Sequence, residues 1–140
     1  MSLTAHFARL GAPLKNSRWS WGSVRESDGS VFLRVWQDQT KTLDGRRYAL
    51  VTHHEAYIGN EGSPGYRERL SHVALAESGR PVYLVMCLVR DPNGRPRKIK
   101  SFNKDDLFVG GAVIEMDGDK WIELADRVPL RSIRSRGTGS

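Results

Sequence analysis

The sequence predicts an α+β protein, a strongly curved mixed sheet or partly closed β-barrel of about seven strands with one principal helix. Three observations carry that expectation. Short runs rich in valine, isoleucine and aromatic residues recur along the chain, separated by turn dipeptides at 28–29, 44–45 and 117–118. One stretch, 64–78, places apolar side chains at helical spacing. At 140 residues the chain has the length of one domain, and it can bury about two thirds of the surface that it exposes when unfolded. Residues 1–130 read as a single globular domain, and 131–140 ("RSIRSRGTGS") as a flexible basic tail with little to bury.

A short helix is expected over 4–10, ended by Gly11. Next comes a hairpin, because Asp28 and Gly29 accept the positive φ angles of a two-residue type I′ turn. Pairing Ser27 with Ser30 sets Arg25 opposite Phe32, Ser23 opposite Arg34 and Trp21 opposite Trp36, with Trp19 on the same side. Val24, Val31, Leu33 and Val35 occupy the other face. One side is aliphatic, as a core face should be; the other carries indoles and guanidinium groups. After a turn at 43–45, residues 47–53 have the β-branched and aromatic content of a third strand. Ser63 offers an N-cap with Pro64 at the first helical position, Tyr66, Leu70, Val73, Ala74 and Glu77 follow at helical spacing, and Gly79 and Pro81 close the helix. Further strands are expected over 82–89, 98–102, 107–109, 112–116 and 120–125, separated by Gly, Pro, Asn and Asp clusters.

Lys and Arg number 22 against 16 Asp and Glu, a net charge of +6. A positive field favours polyanions, since phosphate contacts release condensed counterions. The charge is also uneven: residues 90–104 hold six basic groups and one acid, whereas 105–126 is mainly acidic. The longest apolar run, 81–89, is nine residues, against the roughly 20 that a membrane-crossing helix needs. No membrane partner is expected. Cys87 is the one cysteine and cannot form an internal disulfide, and His6 and Arg9 interrupt any apolar leader, so a cytoplasmic location is expected.

Three features are candidates for function. The first is the hairpin face of Trp19, Trp21, Arg25, Arg34 and Trp36, where aromatic platforms for base stacking alternate with charge for phosphates. Its structural alternative is a second buried face. The second is the glycine-rich loop 59–65 leading into a helix, a combination that can bind anions. Arg67 and Arg69 lie in the first turns, where cations are unfavourable unless an anion compensates. The glycine spacing fits neither a Walker loop nor the dinucleotide fingerprint, and a flexible loop into a capped helix is the preferred explanation. The third is the basic segment with Arg97, Lys98 and Lys100, either a phosphate-backbone rail or a solvated edge strand.

Catalytic signals are sparse. His53 and His54 would point to opposite faces of a strand, and no HExxH or CxxC spacing exists, so neither a metal nor another cofactor is expected. Glu115, Asp117 and Asp119 near Lys120 invite comparison with a metal-dependent nuclease but read more simply as a turn, and Cys87 has the setting of a small core residue. No catalytic residue is assigned.

With its "RWSW" opening at 18–21, the strand "SVFLRVW" at 30–36 and a basic, aromatic remainder, the stretch 15–126 resembles the small PUA-like domains, the group that includes EVE, ASCH and SRA-type readers. The resemblance implies a pocket for a flipped base, modified or not, in restriction or defence proteins where a separate nuclease domain cuts. No such domain is read here, which implies a stand-alone or partner-dependent reader. The expected function is thus a nucleic-acid-binding module, with DNA ahead of RNA. The alternatives are a protein-interaction module and a small nuclease or other enzyme.

Overall fold

A computed structural model of the protein describes residues 2–94 and 97–137. Ser2 Oγ accepts from Ala5 N at 3.1 Å and caps α1 (Leu3–Arg9), which buries His6 and Phe7. Strands β1 (Gly22–Arg25) and β2 (Ser30–Trp36) form the expected hairpin, but with a different turn. Arg25 pairs with Ser30, not Ser27, and four residues make the connection. Asp28 stays in the ordinary φ region because its carboxylate is engaged: it accepts from Arg25 Nη2 at 2.5 Å and Ser30 N at 3.0 Å. The register is thereby shifted by two, which keeps the residues of β1 and β2 on their expected faces while setting Ser23, not Arg25, opposite Phe32.

The dipeptides at 44–45 and 117–118 do form two-residue turns, with φ of 52° and 77° at the first and 54° and 82° at the second. The first joins β3 (Thr40–Leu43) to β4 (Arg46–Leu50), so the expected single strand over 47–53 is shorter and has a polar, exposed partner before it. A 3-10 turn, Glu55–Tyr57, precedes α2 (Pro64–Glu77), which starts at Pro64 as expected although the Ser63 side chain makes no cap bond. Then come β5 (Val82–Val89) and β6 (Ile99–Phe102). β7 (Asp106–Met116) and β8 (Asp119–Pro129) are long; Gly110 and Gly111, read in sequence as a break, form a bulge inside a continuous strand. α3 (Leu130–Gly137) replaces the start of the expected flexible tail: Leu130 and Ile133 lie about one turn apart and are buried against the core. Residues 138–140 of that tail lie outside the described residues.

The fold is α+β. Among the described residues eight strands form one mixed sheet, ordered β1, β2, β5, β7, β8, β4, β3, with β6 added to β5. β2 and β5 run parallel, connected through α2; the path is open, as in a strongly curved sheet rather than a closed barrel. No helix among the described residues is long and apolar enough to cross a membrane.

Alternation along β2 feeds two cores. Phe32 and Trp36 join Phe7, Tyr83, Leu130 and Ile133, between the sheet and the helices α1 and α3. Val31, Leu33 and Val35 join Val73, Leu84 and Ile122 beneath α2. The two ends of the curled sheet are tied through α2. Arg69 is 1% exposed and donates from Nη1 to Val51 O at 3.1 Å, just beyond β4. From Nη2 it donates to Trp21 O at 2.9 Å and Arg34 O at 2.7 Å, on the β1 and β2 side. So close an approach of α2 requires Gly65, where a Cβ would stand 2.6 Å from Trp19 O and 2.8 Å from Trp21 Nε1.

Gly65→Ala is therefore expected to lower stability by about 1–3 kcal/mol through overpacking, read as a reduced urea midpoint. Acid should weaken the fold as well. Burial above all, aided by Arg9 beside one and Arg69 beside the other, holds His6 and His72 neutral down to about 4. An unfolded histidine protonates near pH 6.5, so the unfolded chain binds more protons in this window and stability falls as pH drops from 6.5 towards 4. Denaturation midpoints measured at neutral pH and at pH 5 should differ in that direction; equal midpoints would contradict it.

A candidate anion-binding aromatic pocket

Where the ends of the sheet meet, Trp21, Arg34 and Trp36 on one side face His53 and Tyr57 on the other across a pocket of about 550 Å³. Arg69 from α2, Arg97 ahead of β6, and Arg18 complete its charged lining. Each wall is fixed by local chemistry. Asp119 Oδ1 accepts from Thr52 Oγ1 and from His54 N, both at 2.7 Å, and so pins the segment that carries His53. Tyr57 stacks on Tyr66 of α2 with ring centres 4.8 Å apart and planes 6° apart, and the Tyr66 hydroxyl is hydrogen-bonded to His54 Nδ1. Trp21 meets His53 edge-on at 5.7 Å and lies tilted over Tyr57 at 5.3 Å.

The electrostatics are one-sided. The guanidinium groups of Arg34 and Arg69 lie 6.0 and 5.7 Å from the centre of the Trp21 ring, and those of Arg34 and Arg97 lie 5.6 and 4.6 Å from that of Trp36. Arg97 has a counter-ion, Asp38, at 2.5 Å. Arg34 has none: among the described residues its side chain donates no hydrogen bond and no carboxylate pairs with it, so burial lowers its affinity for its proton. Burial, then the charge of Arg34, brings Arg69 down to about 9. His53 records the same field. Burial first, then Arg69, Arg34 and Arg97, hold its pKa at about 3, so it is neutral at physiological pH. Burial also raises the Tyr57 hydroxyl, against the pull of Arg34. Among the described residues no carboxylate lines the pocket, and the Nε atoms of Arg69 and Arg97 are buried without partners. Flat rings flanked by guanidinium groups, of which Arg34 has no paired acid among the described residues, can stack a planar ligand and hold an anion beside it.

Of the residues singled out from sequence, Trp21, Arg34, Trp36 and Arg97 come together here. Trp36 is also part of the core, 7% exposed, and only one side of it faces the pocket. Trp19 and Arg67 do not join them; they border a separate groove between β1 and α2, with Ser23, Glu68 and His72. Arg25 is corrected outright. It is 3% exposed, paired with Asp28, donates to Leu10 O and Ile133 O at 3.3 and 3.4 Å, and stacks over Phe32, so it is a core-side structural residue. Lys98 and Lys100 are exposed at the β6 edge, away from the pocket lining. In the glycine loop, Gly59 N is already taken by Glu61 Oε1 at 3.0 Å. The sequence reading does not single out Tyr57, weighs Arg69 only at the glycine loop and considers His53 only among metal-binding and catalytic groups. For Arg69 a signal existed, because Tyr66, Arg69 and Val73 recur at i, i+3 and i+7 on one helical face.

The groups considered for catalysis are engaged elsewhere. Asp117 pairs with Lys41 at 2.6 Å on the surface, and Asp119 holds the backbone as described. Cys87 is buried in the core, and burial pushes its thiol up to about 11. Among the described residues no three His, Cys, Asp or Glu side chains gather into a set that would hold a metal ion. No protein-family model matches the chain, and neither a curated protein nor a solved structure is significantly similar to it.

An uncompensated, desolvated cation costs stability. Arg34→Met should therefore be neutral or up to about 1 kcal/mol stabilising in thermal unfolding, in contrast to the loss usual for a substitution at a largely buried site. Replacing chloride with phosphate at equal ionic strength should raise the melting temperature of the parent and leave that of the variant unchanged.

Proposed function

We propose that this protein is a nucleic-acid-binding module that takes one unstacked nucleotide into the pocket, its base against Trp21 and Tyr57 and its phosphate against Arg34. The observation that carries this reading is the isolation of Arg34, a half-buried guanidinium between two indoles with no carboxylate among the described residues paired to it. A cavity of about 550 Å³ falls within the range of roughly 300–1,000 Å³ common for small-ligand sites. Base stacking on such rings contributes about 1–3 kcal/mol per base. A base in a single strand and a base extruded from a duplex, modified or not, would enter in the same way, which is the kind of ligand that the PUA-like resemblance implies. The net charge of +6 and the exposed Lys98 and Lys100 favour a strand running past the pocket, with DNA ahead of RNA. Any cleavage falls to a separate nuclease partner.

Titration with single-stranded oligonucleotides, followed by tryptophan fluorescence, tests the reading. Quenching is expected, with an affinity that declines as salt rises. Trp21→Ala should weaken binding about 10- to 100-fold with the circular dichroism unchanged, whereas Trp19→Ala, in the other groove, should have little effect. Absence of binding at low salt would overturn the proposal and favour a protein-interaction module.

A further inference from the structure

Resting on that reading, we infer that the pocket is built for a terminal phosphate monoester of a nucleotide and not for the singly charged diester inside a strand. The argument is a charge count. Four guanidinium groups line the cavity, those of Arg18, Arg34, Arg69 and Arg97. Among the described residues one carboxylate, Asp38, pairs with one of them, Glu68 acts on Arg69 from outside the cavity, and His53 contributes nothing because it stays neutral down to about 3. Two positive charges remain without an acid to offset them. The carbonyl partners of Arg69 engage its Nη1 and Nη2 groups and leave its charge in place.

These charges are crowded around two rings. Trp21 lies beneath both Arg34 and Arg69, and Trp36 beneath both Arg34 and Arg97, so Arg34 stands between two other cations at ring-stacking distance. A diester brings one negative charge and two free oxygens, which would leave most of this repulsion in a poorly hydrated space. A monoester brings close to two charges at pH 7 and three oxygens. The side chain of Arg34 donates no hydrogen bond among the described residues, so its whole planar fork is free to grip two of those oxygens. A nucleoside monophosphate has the two parts that the cavity offers to hold, a planar base and a dianion. Such a group has two sources, a free mononucleotide and the phosphorylated end of a strand.

The test compares one single-stranded sequence in three forms, 5′-phosphorylated, 3′-phosphorylated and unphosphorylated, together with the free nucleoside 5′-monophosphate, all read by tryptophan quenching. At least one phosphorylated form is expected to bind about tenfold or more tightly than the unphosphorylated strand, and this preference should vanish in Arg34→Met while surviving in Arg67→Met. A free monophosphate that binds as tightly as the phosphorylated strand identifies a mononucleotide site. A marked advantage for the strand identifies a strand-end site. Equal binding of all three strands, still weakened by Trp21→Ala, overturns the monoester inference and leaves the nucleic-acid reading standing. No binding by any probe overturns both. The comparison of the three strands on the parent protein needs no variant, so misfolding of a substitution cannot obscure it.

Discussion

The structure depends on one buried guanidinium. Arg69 reaches three backbone carbonyls that belong to both ends of an open, curled sheet, and among the described residues no carboxylate forms an ion pair with it, although the charge of Glu68 acts on it from further off. Only arginine suits the task, since its rigid fork aims several donors at fixed angles from one planar head, whereas a lysine ammonium offers a compact point charge on a flexible stem. The arrangement is costly in desolvation, and burial holds its pKa at about 9 in consequence. What the cost secures is a gap of fixed width. Trp21 and Arg34 on one bank and His53 on the other stand at set distances because their own backbones are the ones that Arg69 joins.

From that follows the electrostatic character of the site. A strap made of a cation leaves a positive charge at the back of the pocket, and Arg34 and Arg97 add to it. Burial first, and then these three cations, depress the basicity of His53. Folding alone does not explain why a second guanidinium without a counter-ion should be packed beside the first. Strain of this kind persists where a ligand relieves it, and it places the stabilities of the empty and occupied protein in opposition.

Legibility from sequence was high where local rules govern and low where partners come from afar. The apolar run at 82–89 and the proline at position 64 marked β5 and the start of α2. Two Asp-Gly dipeptides turned as their chemistry dictates; the one at 28–29 did not, because Arg25 three residues earlier takes the aspartate for itself. That same proximity was the signal, unread, that Arg25 is structural. β3 escaped notice because Thr40, Lys41 and Thr42 have no apolar face to show. Strand alternation was enough to put Arg34 and Trp36 side by side on β2. It could not foresee that a helix some 35 residues later would send Arg69 behind them, as the hydrogen bond to Arg34 O does.

The stack of Tyr57 on Tyr66 has its own consequence. Tyr57 belongs to a single 3-10 turn, an element that on its own would sample many orientations, yet its ring is clamped against α2 and its neighbour His54 is bonded to the same tyrosine. An incoming molecule therefore meets a wall already in position. On the proposed function, the loss of conformational freedom that commonly opposes association would be met at this wall during folding, which gives the cleft a preorganised, lock-like character.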